Sequence, residues 1–421
     1  MIRRIELFAL PLKSTYVLIS PEYRKFLYET IIDNGGVQKI SKMVNLNKSY
    51  FLRFKNGHRC SLNFIFSLYN TLGINLEELN RNVIQIVSGS NNSVGINYPK
   101  LPFNFNNKFG GTLLAAIMGD GSRSKLGSII YNNHNQILIN FLIAACRNLL
   151  GAIHYKTYQK KDGTTQVFFP KIVGDVVGLF GIEKSYKTVS DCYVELENFS
   201  KEFKIAFIRQ FFDDEGNVRE SDRRLQIKQT RVVNVDKATI RSNIDSYAPK
   251  MLTELRKTLQ EFNIISRISL ETLRNVDDIK KADFSLNIYG KENLEKFKDL
   301  IGFKLKYKNE LLKEVIKSYK YPSAGRNERL IYALQYAAKI ELKYGYVDKL
   351  KLVKETKRAL WRTCTYYLVD LKKSGFIDVI EKSRNDIGAP LAWKYKLTKK
   401  GWQFLKSNID KIFLEKVKKV L

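Results

Sequence analysis

The chain has 421 residues and a formal net charge of +30 at pH 7, and 44% of its residues are hydrophobic. This length predicts two to four domains, and the composition supports a packed core. No apolar run is long enough to span a membrane, and the four cysteines and three histidines show no metal-binding spacing. So large a positive charge indicates a polyanionic partner such as nucleic acid, although a basic proteome could also produce it.

The first predicted domain covers residues 1–95 and consists of an N-terminal strand segment followed by an all-helical module. Helical periodicity begins at Pro21, and Asn47 is a good N-cap for the second of two short helices. This pair of helices resembles a helix-turn-helix of the phage-repressor type, whose second helix reads the major groove. A protein-docking module with a solvated basic face is the alternative. The expected DNA-contacting residues are Lys48, Ser49, Tyr50, Arg53 and Lys55.

A polar segment over residues 88–95 is expected to link this module to the next domain. Beyond it, the chain carries one arrangement twice: an apolar helix that ends in an acid followed by glycine. Asp120 precedes Gly121, and Glu215 precedes Gly216, 95 residues later. An acid at a helix C-terminus is unfavourable, because the helix dipole is already negative there. These acids therefore indicate a function rather than a contribution to stability.

Small residues line one face of the first of these helices. Gly111, Ala115 and Gly119 follow one another at intervals of four, a spacing that lets another backbone approach closely. Gly121 is expected to end the helix in the left-handed conformation. The sequence thus predicts a helix that packs tightly against a partner and ends at a carboxylate.

The two motifs resemble those of the LAGLIDADG homing endonucleases, in the single-chain form that carries both motifs, over roughly residues 105–320. This resemblance implies an α/β (α+β) fold with two pseudo-symmetric αββαββα repeats that meet along the motif helices. It also implies cleavage of both strands of duplex DNA with Mg²⁺ or Mn²⁺, with the sheets lying in the major groove. The metal-binding residues that it implies are Asp120, Glu215, Gly119 and Asp214.

The resemblance further implies accessory groups around the scissile phosphate. Gln229 would position a water molecule, and Asn132 would be its counterpart in the first repeat. Lys306 would lie near the phosphate, with Lys184 or Lys187 as its counterpart. For each of these residues, a solvated surface position is the alternative.

The second motif departs from the family pattern at two positions. Gln210 and Asp214 stand where small residues are expected, so a looser or shifted helix contact is predicted. This departure keeps a second function open, namely a nuclease-inactive, LAGLIDADG-derived protein that regulates transcription or replication. Both motif acids are nevertheless present, which favours an active enzyme.

The last predicted domain follows a second linker near Tyr321 and Pro322. Three helices and a two-stranded hairpin resemble a winged helix-turn-helix, with Thr398 as the N-cap of the final helix. A winged helix that docks protein is the alternative. The residues expected to contact DNA are Arg358, Arg362, Lys372, Arg384 and Lys394.

The sequence therefore predicts a site-specific DNA endonuclease that acts as a monomer in the cytoplasm, associated with the nucleoid. Double-stranded DNA is the expected partner, and neither a membrane nor a small-molecule substrate is expected. A scaffold whose charge is incidental is a third possibility, which binding to duplex DNA would exclude. The predicted domains are residues 1–95, 96–198 (first repeat), 199–322 (second repeat) and 323–421.

Overall fold

The structure is a computed structural model, which describes residues 4–89, 93–182, 192–276, 279–319, 326–356, 361–384 and 390–417. The chain divides into two compact units, residues 1–320 and 321–421. In the part of the chain that the structure describes, no helix is long and apolar enough to cross a membrane.

The N-terminal segment places helices where the sequence predicts them. Asn47 caps the helix that follows it, as expected, because its side chain accepts a hydrogen bond of 2.9 Å from the Ser49 backbone N–H. A 3₁₀ turn at Leu7–Ala9 precedes the helices. The elements are β1 (Arg4–Ile5), β2 (Thr15–Ile19), α1 (Pro21–Asp33), α2 (Gly36–Met43), α3 (Lys48–Lys55), β3 (Cys60–Ser61), α4 (Leu62–Leu72), α5 (Leu76–Asn82) and β4 (Val83–Ser88).

The first repeat follows, with its motif helix at the start. Asn107 caps this helix by accepting hydrogen bonds from the next turn's backbone N–H groups. The elements are β5 (Ile96–Asn97), β6 (Phe103–Asn104), α6 (Lys108–Met118), β7 (Gly121–Arg123), β8 (Ile129–Asn133), α7 (Gln136–Leu150), β9 (Ala152–Ile153), β10 (Lys156–Gln159), β11 (Thr165–Phe168) and α8 (Lys171–Gly178).

The N-terminal module is not all-helical, contrary to the prediction. Its strands β2, β3 and β4 form one sheet with β5 and β9 of the first repeat, in the order β3-β2-β4-β5-β9, and β1 pairs with β6. The β-branched run of β4 favours this pairing, and the segment over residues 88–95 connects two antiparallel neighbours. A buried polar cluster of Ser88, Lys171 and Asp175 also joins β4 to α8. The module and the first repeat therefore share one compact unit.

The second repeat has longer strands than the first. The sequence predicts one helix from Asp245 to Phe262, but Pro249 divides this stretch because proline cannot donate a helical hydrogen bond. The elements are α9 (Lys201–Asp214), β12 (Gly216–Arg219), β13 (Arg224–Val233), α10 (Lys237–Ser242), α11 (Ile244–Tyr247), α12 (Lys250–Glu261), β14 (Ser266–Val276), β15 (Ile279–Tyr289), α13 (Lys291–Leu300) and α14 (Lys306–Lys317).

The two repeats have the same sheet topology, which confirms the predicted fold class. The strand order is β7-β8-β11-β10 in the first repeat and β12-β13-β15-β14 in the second, and all neighbours are antiparallel. In the second sheet, one face carries buried apolar side chains such as Leu225, Ile227 and Phe284. The opposite face is polar, as a sheet with only one face packed on helices requires.

The C-terminal unit begins with three helices and continues with a hairpin and a last helix. Thr398 caps the last helix as predicted, accepting a hydrogen bond of 3.0 Å from the Gly401 backbone N–H. The elements are α15 (Arg326–Tyr344), α16 (Lys349–Thr356), α17 (Trp361–Lys373), β16 (Ile377–Arg384), β17 (Pro390–Leu397) and α18 (Lys399–Val417). This order is that of the predicted winged helix.

Candidate active site at the ends of the motif helices

The two motif helices, α6 and α9, pack directly against each other. A side chain at Gly111 would collide with the backbone carbonyl of Phe203 and would lie 3.1 Å from the backbone nitrogen of Phe207. At the other end of α6, a side chain at Gly119 would lie 2.8 Å from Cβ of Asp214. The stripe of small residues therefore allows the close approach of a second helix that the sequence predicts. Gln210 does not prevent this close approach.

Both helices end in the same way, although not through the predicted left-handed glycine. Gly121 and Gly216 have no positive φ, and they open β7 and β12 instead. Glycine is needed there for space. A side chain at Gly121 would lie 2.6 Å from Cα of Ile117, and one at Gly216 would lie 2.9 Å from Cα of Phe212. The chain thus turns from helix to strand against its own last helical turn.

Asp120 and Asp214 are connected through the second strand of the first repeat. The side-chain amide of Asn133 donates to Oδ2 of Asp120 at 2.6 Å and to the hydroxyl oxygen of Tyr131 at 3.1 Å. The Tyr131 hydroxyl donates in turn to Oδ1 of Asp214 at 2.8 Å. A continuous hydrogen-bonded path therefore runs from one motif helix to the other.

The Asp214 carboxyl lies in a poorly hydrated and negatively charged environment. Burial raises its pKa well above the ordinary value, and the charge of Asp120 raises it further. Hydrogen bonds from Gln210 and Tyr131 oppose this shift in pKa. Burial and the Asp214 charge also raise the pKa of the Tyr131 hydroxyl, so Tyr131 stays a hydrogen-bond donor. Asp120 and Asp214 thus act on each other as like charges.

Lys304 joins the two motif helices from the loop before α14. Its ammonium donates to Oε1 of Gln210 at 2.6 Å and to the Thr112 hydroxyl at 3.4 Å. Its backbone N–H donates to the Asp213 carboxylate at 2.9 Å. Burial lowers the pKa of the ammonium to about 8, against the effect of nearby carboxylates. Gln210, a departure from the family pattern, is thus a partner of this lysine.

Lys308 caps the end of α9. Its buried ammonium donates to the backbone carbonyls of Phe212, Asp213 and Gly216 at 3.0, 2.6 and 2.6 Å. A cation at this place also complements the negative end of the helix dipole. Burial lowers the pKa of the ammonium, and four carboxylates oppose that shift: Asp213, Asp214, Asp120 and Glu215. Both motif acids therefore act electrostatically on one ammonium group.

We expect Lys308→Met to lower the free energy of unfolding by about 2–4 kcal/mol, because it leaves three carbonyls at the helix end without this donor. The measurement is equilibrium unfolding in urea. Lys313→Met on the exposed face of the same helix is the matched control, and we expect it to change stability by less than about 0.5 kcal/mol. Equal effects of the two substitutions would contradict the capping role.

The strand register corrects one predicted correspondence between the repeats. Tyr131 pairs with Gly121, and Ile227 pairs with Gly216, so the residue two positions further is Asn133 in one repeat and Gln229 in the other. Asn132 points to the opposite face, because side chains alternate along a strand, and its Oδ1 accepts from Gln166. The counterpart of Gln229 is therefore Asn133, which contacts Asp120.

The predicted lysines differ in their placement. Lys306 begins α14, and its side chain is 89% exposed beside Glu310. Lys184 and Lys187 lie outside the described residues. The sequence prediction missed Lys304 and Lys308, although the alternation Lys304-Leu-Lys306-Tyr-Lys308 at a helix start could have indicated them.

The predicted DNA-contacting residues of the N-terminal module share one exposed surface. Lys48, Ser49, Tyr50, Arg53 and Lys55 are all exposed on α3. In the C-terminal unit, Lys372 is exposed and its ammonium lies 5.2 Å from the ring centroid of Trp393, while Lys394 pairs with Glu381 at 2.7 Å. Arg362 and Arg384 lie within α17 and β16, and Arg358 lies outside the described residues.

The residues at the motif-helix ends suit a divalent cation that is shared with a substrate. Among the described residues, no three His, Cys, Asp or Glu side chains are grouped so as to hold a metal ion by themselves. Mg²⁺ does not require this, since it commonly binds one or two carboxylates together with water and substrate phosphates. Asp120 and Glu215 would supply those oxygen ligands. After burial, the charge of Asp120 is the next cause that raises the pKa of Asp214, so the two carboxylates are close enough to act on each other.

One protein of known sequence is similar to about half of this chain. A probable translation initiation factor IF-2 from Methanocaldococcus jannaschii is 29% identical over 233 residues, which are 50% of this chain and 18% of that protein. The chain therefore spans less than a fifth of the length of this relative.

Solved structures with some similarity include proteins of two kinds. One is a structure of mesophilic variants of the homing endonuclease I-DmoI, with 16% identity, a TM-score of 0.30, and coverage of 47% of this chain and 97% of that one. A second is I-DmoI in complex with DNA and Ca, with 17% identity, a TM-score of 0.31, and coverage of 49% of this chain and 97% of that one.

The other is full-length DUF199/WhiA from Thermatoga maritima, with 17% identity, a TM-score of 0.33, and coverage of 65% of this chain and 92% of that one. Residues 202–302 match the model of the LAGLIDADG-like domain family. The second repeat is therefore similar to the LAGLIDADG-like domain family, which confirms for this repeat the resemblance that its sequence motif indicates.

Proposed function

We propose that this protein is a LAGLIDADG-type endonuclease that hydrolyses both strands of duplex DNA with Mg²⁺ or Mn²⁺. One observation carries the proposal. Asp120 and Glu215 lie at the C-terminal ends of two motif helices that pack against each other through Gly111 and Gly119. An acid is thus placed at the end of each half of a pseudo-symmetric pair, as the cleavage of two strands requires. The net charge of +30 supports a nucleic acid substrate.

In this function each residue of the site has a distinct task. Asp120 and Glu215 hold the divalent ions, and Gly119 and Asp214 are the adjoining metal-site residues in the proposal. When bound, the ions supply an activated water and stabilise charge on the scissile phosphate and the leaving oxygen. Gln229 orients water in the second half, whereas Asn133, which occupies the equivalent strand position, holds the Asp120 carboxylate in the first half. Lys306, whose side chain is exposed, approaches a DNA phosphate.

Cleavage of a supercoiled plasmid library, or of DNA that flanks the protein's own gene, tests this function. With Mg²⁺ or Mn²⁺ we expect discrete linear products, and with EDTA we expect none. Tight binding that does not depend on metal, without any nicking, would contradict the proposal. That result would instead establish the alternative, a nuclease-inactive DNA-binding regulator. Asp214 favours this alternative. Its carboxylate lies at the close helix contact with Gly119, where a small residue would fit better.

The outer modules extend the proposed DNA contact. We infer that α3 reads bases or contacts phosphates, and that the C-terminal unit acts as a winged helix through α17 and the β16–β17 hairpin. The exposed Lys48, Ser49, Tyr50, Arg53 and Lys55 support the first inference. Because the N-terminal module shares a sheet with the first repeat, it binds DNA as part of the same compact unit.

Salt dependence of DNA affinity tests the role of α3. Lys48→Ala combined with Arg53→Ala removes two proposed phosphate contacts, so the slope of log K against log salt should fall in magnitude by about 1.8. The measurement is a fluorescence anisotropy titration at several salt concentrations. Lys313→Ala combined with Lys317→Ala on α14 removes the same charge and should leave the slope unchanged. A similar decrease in the magnitude of the slope in both double variants would show that net charge alone causes the effect.

A further inference from the structure

The network between the motif helices includes a tyrosine hydroxyl that the equivalent strand position of the second half lacks. Tyr131 and Ile227 occupy equivalent positions, opposite Gly121 and Gly216, but only the tyrosine carries a hydroxyl. Gly119 and Asp214 are also equivalent, because each directly precedes a motif acid. The first half thus contributes a hydroxyl, and the second half contributes the carboxylate that accepts its hydrogen bond.

The orientation of the Asn133 amide is fixed on both sides. Its oxygen accepts a hydrogen bond of 2.7 Å from the backbone N–H of Asn135, so its nitrogen must face the other way. The two N–H bonds of that nitrogen are directed to Asp120 and to the Tyr131 hydroxyl oxygen. All the capacity of this amide for donating hydrogen bonds is therefore used by these two partners.

The Tyr131 hydroxyl completes the path. Because its hydrogen goes to Asp214, its oxygen lone pairs are turned towards Asn133. Tyr131 is fully buried, so its ring has no freedom to move away. Asp214, a carboxylate of the second half, thereby orients the Tyr131 hydroxyl. That hydroxyl orients the Asn133 amide, and the amide in turn holds Asp120.

We propose that Asp214 and Tyr131 are positioning residues for Asp120, so that the acid of the first half is held in place by the second half. This inference rests on the proposed nuclease function for its effect on cleavage. It makes the two halves unequal. Asp120 depends on a path across the helix interface that passes through the Tyr131 hydroxyl, whereas the position equivalent to Tyr131 in the second half holds Ile227 and has no hydroxyl. Loss of the Tyr131 hydroxyl therefore affects the strand served by Asp120.

Strand-resolved cleavage of an end-labelled duplex tests this proposal with Tyr131→Phe, which keeps the ring and removes the hydroxyl. We expect cutting of one strand to slow by about tenfold to a hundredfold, as for other groups that orient ligands of a metal, while the other strand is cut at the rate of the unsubstituted protein. Nicked duplex should accumulate. Tyr69→Phe removes a buried hydroxyl that donates to Tyr23, far along the chain, and should slow neither strand.

A second readout does not depend on cleavage. In protein labelled with ¹⁵N-asparagine, the side-chain amide signal of Asn133, assigned by its loss in Asn133→Ser, should shift in Tyr131→Phe and stay in place in Tyr69→Phe. An unshifted signal, or equal slowing of both strands, would overturn the positioning role. If the unsubstituted protein cuts no DNA under any metal condition, the nuclease function fails, and the amide signal alone decides whether Tyr131 orients Asn133.

Discussion

Replacing either motif acid by its amide, Asp120→Asn or Glu215→Gln, should abolish the formation of linear DNA. Each amide has nearly the shape of the acid but lacks the charge that holds a divalent ion. We expect the rate of double-strand cleavage to fall by at least about 10²–10³-fold, the scale on which loss of a principal charge-stabilising group acts. The measurement is single-turnover conversion of supercoiled plasmid with Mg²⁺.

DNA affinity in the presence of EDTA is the control for these two substitutions. It should stay unchanged, because phosphate contacts by basic side chains account for most of the binding energy. Full cleavage activity in both variants would contradict the assignment of the site. Nicking that survives in only one variant would show that one half works without the other.

Gly111→Ala should destabilise the protein, although the same change in an exposed helix stabilises by about 1 kcal/mol. The added methyl group would overlap the carbonyl oxygen of Phe203 on the partner helix. Backbone atoms cannot rotate away, so the helices must separate, at a cost of about 2–3 kcal/mol. The measurement is urea unfolding together with cleavage. Activity should also be lost, because separation of α6 and α9 moves Asp120 away from Glu215.

Ala144→Gly is the control for Gly111→Ala. It measures the effect of helix propensity on stability alone, since Ala144 is exposed on α7. We expect this substitution to destabilise by about 1 kcal/mol. Stabilisation by Gly111→Ala of the same size would show that the two motif helices tolerate a wider spacing, and the close contact would then have no role in placing the acids.

Much of the fold could be predicted from the repeated motif. The helix-acid-glycine arrangement identified both motif helices, and the predicted αββαββα order of elements follows from the family that they resemble. The N-terminal module was harder to predict, because β4 pairs with β2, far earlier in the chain, and the same sheet continues through β5 to the distant β9. Long-range strand pairing of this kind leaves only a short β-branched run in the sequence.

The two acids of the site could be predicted, but their surroundings could not. Asn132 rather than Asn133 was expected near Asp120, because a shift of one residue in register exchanges the two faces of a strand. Lys304 and Lys308 were missed because burial of a lysine is rare, and it depends on partners that the sequence does not place. Gln210 looked like a defect in the helix contact, yet it is the residue that connects Lys304 with Asp214.

The most direct test of the account is to locate Mn²⁺ by its anomalous scattering in crystals of the protein bound to its target duplex. We predict a peak within about 2.5 Å of a carboxylate oxygen of Asp120 and of Glu215, next to the scissile phosphates. The peak should disappear in Asp120→Asn combined with Glu215→Gln. Bound duplex without any peak at these carboxylates would contradict the account, and would identify the protein as one that binds DNA without cutting it.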